Sequence, residues 1–353
     1  MRRVLFVTNS LTGGGAERAM NLAANELFQR NWQVALVPIN LGEPDYVQLK
    51  CQTFPLNRVW RGGIFPTLTA YVKFILVVKK WNPQIIVFTC DLPELFGAFL
   101  PFNKEIVIVE EAKFPWGTRK TFGKVVRGIL ALRRVSWVSA SHHLRIWPTN
   151  NKPHTVIQNA LTPFEERELP SEELGERIVY VGRLSPEKRP EWFVEIVNQT
   201  KISGVVFGSG LMELGLREFV SAQHINVEFA GFVSNPWTSL TVKDLVIIPS
   251  ASEGDGLVVI EALSAGVPIL LSDIPEFRHF GFPDKHYCQG VSDFAKRLNE
   301  FQDRFNLLRI DPLLAKSILS PRSISTIGDK WEYFLENLDL VKTQDTKRDL
   351  LAD

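Results

Sequence analysis

The sequence has few cysteines, the residues that form the disulfides and many of the metal sites of small secreted proteins. Its three cysteines, Cys51, Cys90 and Cys288, lie far apart and without a CxxC spacing, which favours reduced thiols and argues against a zinc site. No apolar run reaches the roughly 20 residues that a membrane-spanning helix needs. The opening residues MRRVLFVTNS have the pattern of a buried strand rather than of a secretion signal, so we expect the mature protein to begin near Met1.

The sequence also has little net charge, but the value of +1 over 353 residues hides an asymmetry. Residues 1–160 hold 20 Lys and Arg against 9 Asp and Glu, whereas the remaining residues hold 20 against 30. Halves of opposite charge are typical of domains with different partners. The length and the 45% hydrophobic content predict two folded domains rather than disorder.

Apolar strands alternate with helical patterns along the whole chain. In the first half we predict strands at 4–8, 33–39, 84–89, 105–109, 136–140 and 155–157, and in the second at 178–181, 204–207, 227–230, 244–249 and 268–272. This alternation predicts an α/β fold with two doubly wound, Rossmann-like domains that face a central cleft.

The domain boundaries follow from composition. We predict a first domain over 1–160, a linker over the acidic, irregular stretch 161–176, and a second domain over 177–324. A last helix over 325–342 is expected to cross back to the first domain, and the polar tail 343–353 is expected to fray.

The stretch SASEGDGLVVIEALSAG, which begins at Ser250, follows a predicted strand directly. Gly256 opens a turn, and the helix that begins at Leu257 carries Glu261 about one turn inside. Backbone amides at a helix start attract a diphosphate. The plainer interpretation makes Glu253 a helix-capping acid and Glu261 a solvated helix residue.

The stretch VGRLSPEK also follows a predicted strand and brings two cations, Arg183 and Lys188, to the same edge. Fixed cations stabilise the negative charge that develops on a departing phosphate. The plainer interpretation is an ordinary charged surface loop.

Together these motifs resemble a known family. GRLSPEK, followed by Glu253, seven residues and Glu261, is similar to the retaining glycosyltransferases of family 4 (glycosyl transferases group 1), which have the GT-B fold. The first glycine loop, GGGAER from Gly13, is also similar to that of the family, and all three motifs occur in the family order.

The resemblance implies a role for each matching residue. Arg183, Lys188 and Glu253 are the expected catalytic residues, with both cations on the leaving diphosphate. The remaining donor-binding positions implied are Gly14, Gly15, Val233, Gly256, Leu257, Val258 and Glu261. Of these, Glu261 is expected at the ribose hydroxyls and Val233 near the nucleobase. No metal or other cofactor is implied.

Two positions depart from the family pattern. Asp255 stands where members commonly have an aromatic residue, which leaves open whether this acid alters sugar preference or only points to solvent. Many members have a histidine after the strand at 105–109, where this chain has Glu110 and Glu111 as candidates on the acceptor side. His142 and His143 are expected to be ordinary loop residues.

A basic, acid-free segment in the first half predicts an anionic partner. Residues 113–134 contain seven Lys or Arg interleaved with aromatic residues. Such a surface can rest on anionic lipid, and the same charge is compatible with a core-facing helix that has a solvated basic rim. The membrane contacts predicted are Trp116, Arg119, Lys120, Lys124 and Arg127. A second candidate is the stretch 58–81. No nucleic-acid motif is present.

The sequence therefore predicts a retaining hexosyl- or N-acetylhexosaminyl-transferase that uses a nucleoside-diphosphate sugar. The acceptor is expected to be a glycan or a lipid-linked molecule of cell-envelope polysaccharide or glycolipid synthesis. The protein is expected to be cytoplasmic and peripheral on the inner face of the membrane. A nucleotide-sugar epimerase of the same fold and a noncatalytic nucleotide-sugar-binding subunit remain alternatives.

Overall fold

The computed structural model describes residues 2–11, 14–42, 49–60, 62–113, 115–161, 177–241, 243–302 and 304–338. The chain divides into two compact units. The first unit contains Met1–Thr162 and Arg322–Asp353, and the second contains Pro163–Pro321. Most of the predicted linker and the whole of the predicted tail lie outside the described residues.

The strands follow in chain order as β1 (Arg3–Thr8), β2 (Gln33–Pro38), β3 (Gln52–Thr53), β4 (Ile85–Thr89), β5 (Glu105–Glu110), β6 (Ser136–Ser139), β7 (Thr155–Val156), β8 (Arg177–Val181), β9 (Ser203–Phe207), β10 (Val227–Gly231), β11 (Asp244–Ile248), β12 (Ile269–Ser272) and β13 (Tyr287–Cys288). Each strand predicted from the sequence is present within two residues of its expected bounds. The two-residue strands β3 and β13 were not predicted, because so short a segment has no periodicity.

The α-helices are α1 (Gly15–Gln29), α2 (Ile64–Trp81), α3 (Asp91–Ala98), α4 (Lys120–Leu132), α5 (Pro190–Thr200), α6 (Glu213–Ala222), α7 (Leu257–Ser264), α8 (Pro275–Arg278), α9 (Val291–Phe301), α10 (Pro312–Leu319) and α11 (Ile324–Glu336). Short 3-10 helices include Gly117–Arg119, Pro186–Lys188 and Pro236–Ser239.

The first unit is a parallel sheet in the order β3-β2-β1-β4-β5-β6-β7, with helices on both faces. Side chains alternate across β1: Val4 and Phe6 pack against α1 and α11, whereas Leu5 and Val7 pack on the side of α2, α3 and α4. Both faces are therefore buried, as continuous apolar strands require.

The second unit is a parallel sheet in the order β10-β9-β8-β11-β12-β13. One face packs Ile178 and Tyr180 of β8 against apolar side chains of α5, α6 and α9. The predicted fold class, α/β with two doubly wound domains, is confirmed.

The helix α11 packs on the first unit although it follows the second unit in sequence. Trp331 is buried and lies edge-on to Phe6, with ring centroids 5.9 Å apart. Arg30, the residue directly after α1, donates to Asp329 at 2.6 Å and to Glu332 at 3.0 Å. Gly328 permits this approach, because a Cβ there would lie 2.4 Å from the Glu26 side chain.

Candidate functional site

The two motifs of the second unit meet at one edge of its sheet. Strands β8 and β11 are parallel neighbours, with Ile178 opposite Leu245, so the loops that leave their carboxyl ends lie side by side. The backbone N–H of Ala251 donates to the carbonyl of Glu187 at 2.8 Å, which ties the two loops together.

Lys188 and Glu253 form an ion pair across these loops. Lys188 Nζ lies 2.6 Å from each carboxylate oxygen of Glu253, and Ser250 Oγ donates to Glu253 Oε1 at 2.7 Å. The Glu253 side chain is 8% exposed and that of Lys188 24% exposed. Glu253 thus holds a cation in place, and the expectation of a simple helix-capping acid is wrong.

Hydrogen bonds fix the backbone of the loop after β8. The hydroxyl of Tyr180 donates to the carbonyl of Arg183 at 2.8 Å, and Leu184 N–H donates to the carbonyl of Ser209 at 3.0 Å. Burial, together with the nearby Glu253 carboxylate, raises the pKa of Tyr180, so this hydroxyl stays a donor. Arg183 itself is exposed at this edge.

Gly208 makes the close approach of β8 and β9 loops possible. Its φ is +153°, and a Cβ at this position would lie 1.9 Å from the carbonyl oxygen of Gly182. A side chain there would displace the backbone that leads into Arg183. The sequence patterns did not single out this glycine, because nothing local to residue 208 shows what approaches it.

Gly256 is the residue before α7 and adopts a left-handed conformation, with φ +69°. Such a conformation favours glycine over residues with a Cβ. The amides at the start of a helix have no intrahelical acceptor, so those of Leu257 and Val258, both half-buried, are suited to bind an anion. Asp255 is only 5% exposed, so its carboxylate does not point to solvent.

Glu261 is buried, with 6% of its surface exposed, and accepts a hydrogen bond from Trp237 Nε1 at 3.1 Å. The expectation of a solvated helix residue is therefore wrong. Trp237 lies in the 3-10 helix Pro236–Ser239 and was not identified from sequence, since 24 residues separate it from Glu261 and no periodicity links them. Val233, predicted near the nucleobase, lies at the surface just beyond β10.

In the first unit, Gly14 and Gly15 lie where β1 leads into α1. Gly14 has an extended backbone and precedes the helix, and Gly15 is its first residue. Both are half-buried. Gly13, the first glycine of the motif, lies outside the described residues.

The two candidate acids after β5 point to different surroundings. Glu110 is 1% exposed and lies in an ion pair with Arg127, whose Nη1 is 2.5 Å from Glu110 Oε2. Burial raises the pKa of Glu110 to about 7 in spite of this partner. Glu111 accepts from Asn159 Nδ2 at 3.1 Å. An acceptor-side role for Glu110 is therefore wrong, because its carboxylate is enclosed in the core.

Two of the five predicted membrane contacts are buried. Arg127 is 3% exposed and donates to Glu94 and Glu110, and Trp116, also 3% exposed, donates from Nε1 to Glu94 at 2.9 Å. The prediction for these two residues is wrong, since they form an internal network that neutralises buried carboxylates. The other three, Arg119, Lys120 and Lys124, are exposed.

Other expectations concern the histidines after β6, metal sites and membrane spans. His142 and His143 are exposed in the turn that follows β6. Within the described ranges, no cluster of three or more His, Cys, Asp or Glu side chains has the arrangement of a metal site. In the same part of the chain, no helix combines the length and apolar character that crossing a bilayer requires.

Comparison with known proteins finds a family that part of the chain resembles. Residues 162–301, which contain the loops of Lys188 and Glu253 and the helix of Glu261, match the family model described as glycosyl transferases group 1. The similarity to this family lies in that stretch of the chain. The predicted resemblance is confirmed at the level of the group 1 glycosyl transferases.

Individual proteins similar to this chain are also glycosyltransferases. An uncharacterized glycosyltransferase of Haemophilus influenzae is 25% identical over 289 residues, which cover 75% of this chain and 78% of that protein. The O-antigen biosynthesis glycosyltransferase WclY of Escherichia coli is 35% identical over 91 residues, 24% of this chain. That match spans only about a quarter (26%) of the length of WclY.

The fold of the chain is shared with solved structures. The crystal structure of Anabaena Alr3699/HepE in complex with UDP and glucose superposes with a TM-score of 0.76 at 16% identity, covering 96% of this chain and 100% of that one. The chain has the GT-B fold.

Proposed function

We propose that this chain transfers a sugar from a nucleoside-diphosphate sugar to an acceptor hydroxyl. The observation that carries the proposal is the convergence of Lys188, Glu253 and the start of α7 at the carboxyl edge of the second sheet. The Lys188 ammonium group lies near helix-start amides that have no intrahelical acceptor. Together these groups suit the two phosphates of a nucleotide sugar.

In this proposal the second unit binds the donor. Arg183 and Lys188 contact the diphosphate and stabilise the charge that develops as the sugar departs. Glu261, oriented by the indole N–H of Trp237, accepts from the ribose hydroxyls. Glu253 positions Lys188 and lies within reach of the donor sugar or its phosphates. Val233 lies by the nucleobase.

The transfer is proposed to retain the configuration of the sugar and to need no metal. The acceptor hydroxyl attacks on the face from which the diphosphate leaves, and the departing phosphate takes the proton. Arg183 and Lys188 then supply the positive charge that a divalent cation supplies elsewhere. Turnover that persists in EDTA supports this part, and the anomeric configuration of the product, read by NMR, tests retention.

The acceptor is proposed to be a glycan or a lipid-linked molecule of the cell envelope, with a hexose or an N-acetylhexosamine as the transferred sugar. The support is the family relationship to WclY, a protein of O-antigen biosynthesis, and the basic character of the first half. The enzyme then works in the cytoplasm, at the inner face of the membrane, where such acceptors are presented.

The decisive experiment is a thermal-shift screen of nucleoside diphosphates and nucleotide sugars, followed by transfer assays with the donors that bind. A ligand of the native state raises apparent stability by mass action. We expect one nucleotide sugar to raise the Tm and to be consumed only when acceptor is present. Sugar conversion without acceptor indicates an epimerase, binding without any turnover indicates a noncatalytic subunit, and either result overturns the proposal.

A further inference from the structure

The outer face of α2 carries an apolar stripe that no part of the described chain covers. The side chains four residues apart along this face are largely exposed: Ile64 75%, Leu68 54%, Val72 57% and Leu76 59%. The opposite face of the same helix is buried against the core of the first unit through Ala70, Phe74 and Val78. The helix is thus apolar on two faces, and only one of them stabilises the fold.

Other exposed apolar side chains extend the stripe. Phe65 is 83% exposed in the first turn, and Val59 and Trp60, just before the helix, are 64% and 52% exposed. Soluble proteins rarely leave so large a contiguous apolar surface in water, and surfaces of this kind mark sites of interaction with membranes or proteins.

The charge around the stripe has one sign. The sequence of α2 contains Lys73, Lys79 and Lys80 and no Asp or Glu. At 100° per residue, Lys73 and Lys80 lie along the side of the aliphatic stripe and Lys79 lies within it. All three lysines are exposed.

A second set of cations lies on the same side of the first sheet. The helices α2 and α4 both pack on this side, since Phe74 and Val126 belong to one apolar cluster. The exposed Lys120 and Lys124 follow in α4, in a segment that also has no acid. Anything that binds here meets aliphatic side chains bordered by positive charge.

We propose that α2 docks this protein on an anionic lipid bilayer, with its axis along the membrane surface and the stripe Ile64, Leu68, Val72 and Leu76 inserted among the headgroups. A helix that is aliphatic on its outer side and bordered by lysines has the composition of interfacial membrane helices. Docking through α2 rests on the proposed function in one respect, namely that the membrane presents the acceptor to the enzyme.

The occupant is a bilayer rather than a partner protein for two reasons of chemistry. The exposed aliphatic side chains lie four residues apart along one helix, a pattern that suits insertion into a lipid interface. The cations are spread over both α2 and α4, and a membrane with many anionic headgroups can contact all of them. Each cation near the surface contributes about a fivefold gain in partitioning. The docking surface therefore centres on α2, and Arg119, Lys120 and Lys124 of the predicted contacts are exposed on the same side of the first sheet.

The test is sedimentation of the full chain with phosphatidylcholine vesicles that contain about one third phosphatidylglycerol and no lipid-linked sugar. We expect binding at low salt that weakens as salt screens the lysines. The double variant Val72→Glu, Leu76→Glu is expected to lose more than tenfold in vesicle partitioning, and Lys79→Gln about fivefold.

The matched control is Leu211→Glu, Leu214→Glu, which makes the same change in charge at side chains 78% and 72% exposed in the second unit. It is expected to sediment with vesicles nearly as the unaltered protein does. Equal binding of both double variants, or no binding of the unaltered chain at low salt, overturns the proposal. So does a dimer in ultracentrifugation that Val72→Glu, Leu76→Glu dissociates without any vesicle binding, because the stripe is then a contact between copies.

The thermal shift produced by nucleotides separates this inference from the proposed function. The Val72→Glu, Leu76→Glu variant is expected to keep the unfolding temperature of the unaltered protein and its full response to nucleotide. Loss of vesicle binding with that response intact supports docking through α2. Vesicle binding by a chain that transfers no sugar leaves docking standing and removes the proposed function.

Discussion

Lys188 and Glu253 lie on loops that are 65 residues apart in sequence, and Lys188 Nζ is 2.6 Å from both oxygens of the Glu253 carboxylate. The pair fixes an ammonium group beside the start of α7, where a diphosphate is proposed to bind. A donor phosphate and Glu253 then share the same cation. Charge is in place before the donor arrives, which is the condition for stabilising a departing phosphate without reorganisation.

Removing the ammonium group should slow the chemistry. We expect Lys188→Ala to lower turnover by roughly 10²- to 10³-fold, the usual cost of deleting one group that stabilises transition-state charge. Steady-state kinetics with the donor found in the screen measures this. Lys296→Ala, at an exposed lysine of α9, is the control and should leave turnover unchanged. Unaltered turnover in both Lys188→Ala and Arg183→Ala would contradict the proposal that these cations stabilise the departing diphosphate.

The hydrogen bond from Trp237 to Glu261 should support nucleotide binding. Trp237→Phe keeps a buried ring but removes the indole N–H, so one oxygen of Glu261 loses its donor. We expect about a tenfold weaker Kd for the nucleotide, because a hydrogen bond to a charged group contributes about 1.5–3 kcal/mol. Titration calorimetry measures the Kd, and Glu261→Ala should abolish binding.

The matched control for this tryptophan is Trp192→Phe. Trp192 lies in α5, where its ring stacks on the Arg189 guanidinium 4.0 Å from the ring centroid. This variant should bind nucleotide as the unaltered chain does. Equal Kd values for Trp237→Phe and the unaltered protein would show that the indole does not orient Glu261.

Gly208 should tolerate no side chain. In Gly208→Ala the new Cβ meets the carbonyl of Gly182 at 1.9 Å, so the loop that carries Arg183 must shift. We expect a loss of about 1–3 kcal/mol in the free energy of unfolding, typical of overpacking, together with reduced turnover. In Gly215→Ala the added Cβ has no heavy atom within 4 Å, and in the helix α6 it should stabilise by up to about 1 kcal/mol. Denaturant unfolding of both variants checks the contrast.

Arg127 should be a stability residue and not a lipid contact. Arg127→Ala leaves Glu94 and Glu110 buried without their shared cation, which typically costs about 3–5 kcal/mol. Arg119→Ala, eight residues earlier and on the surface, should change the free energy of unfolding by less than about 0.5 kcal/mol. Similar unfolding curves for the two variants would contradict the assignment.

The residues around Arg127 show where reasoning from the sequence succeeded and where it failed. The positions of the strands and of the motif-bearing loops were predictable, because continuous apolar runs and glycine turns are local signals. Placing both motifs after strands predicted that the loops of Lys188 and Glu253 lie at one edge, but it did not predict their ion pair. The burial of Arg127 was not predictable, since its partners Glu94 and Glu110 come from two other elements and a basic segment without acids is typical of a surface. Trp237 was missed for the same reason.

His286 should make the second unit sensitive to acid. The residue is 1% exposed, and its Nδ1 lies 3.1 Å from the carbonyl of Ile269. Burial lowers the pKa of His286 to about 4 from its ordinary 6.5, because the charged imidazolium is poorly solvated there. Between these two values the unfolded chain binds a proton that the folded chain does not. The free energy of unfolding therefore falls as the pH falls from about 6.5 towards 4.

The variant His286→Asn separates this contribution from other titrating groups. Its amide can still donate to the Ile269 carbonyl but takes up no proton. Glu110, whose raised pKa of about 7 acts in the opposite direction over an overlapping range, is the same in both proteins. As the pH falls from 7 to 4, the unaltered chain should lose up to about 3 kcal/mol more of its unfolding free energy than His286→Asn loses. A difference that stays constant over this range would mean that His286 protonates as readily in the folded chain as in the unfolded one.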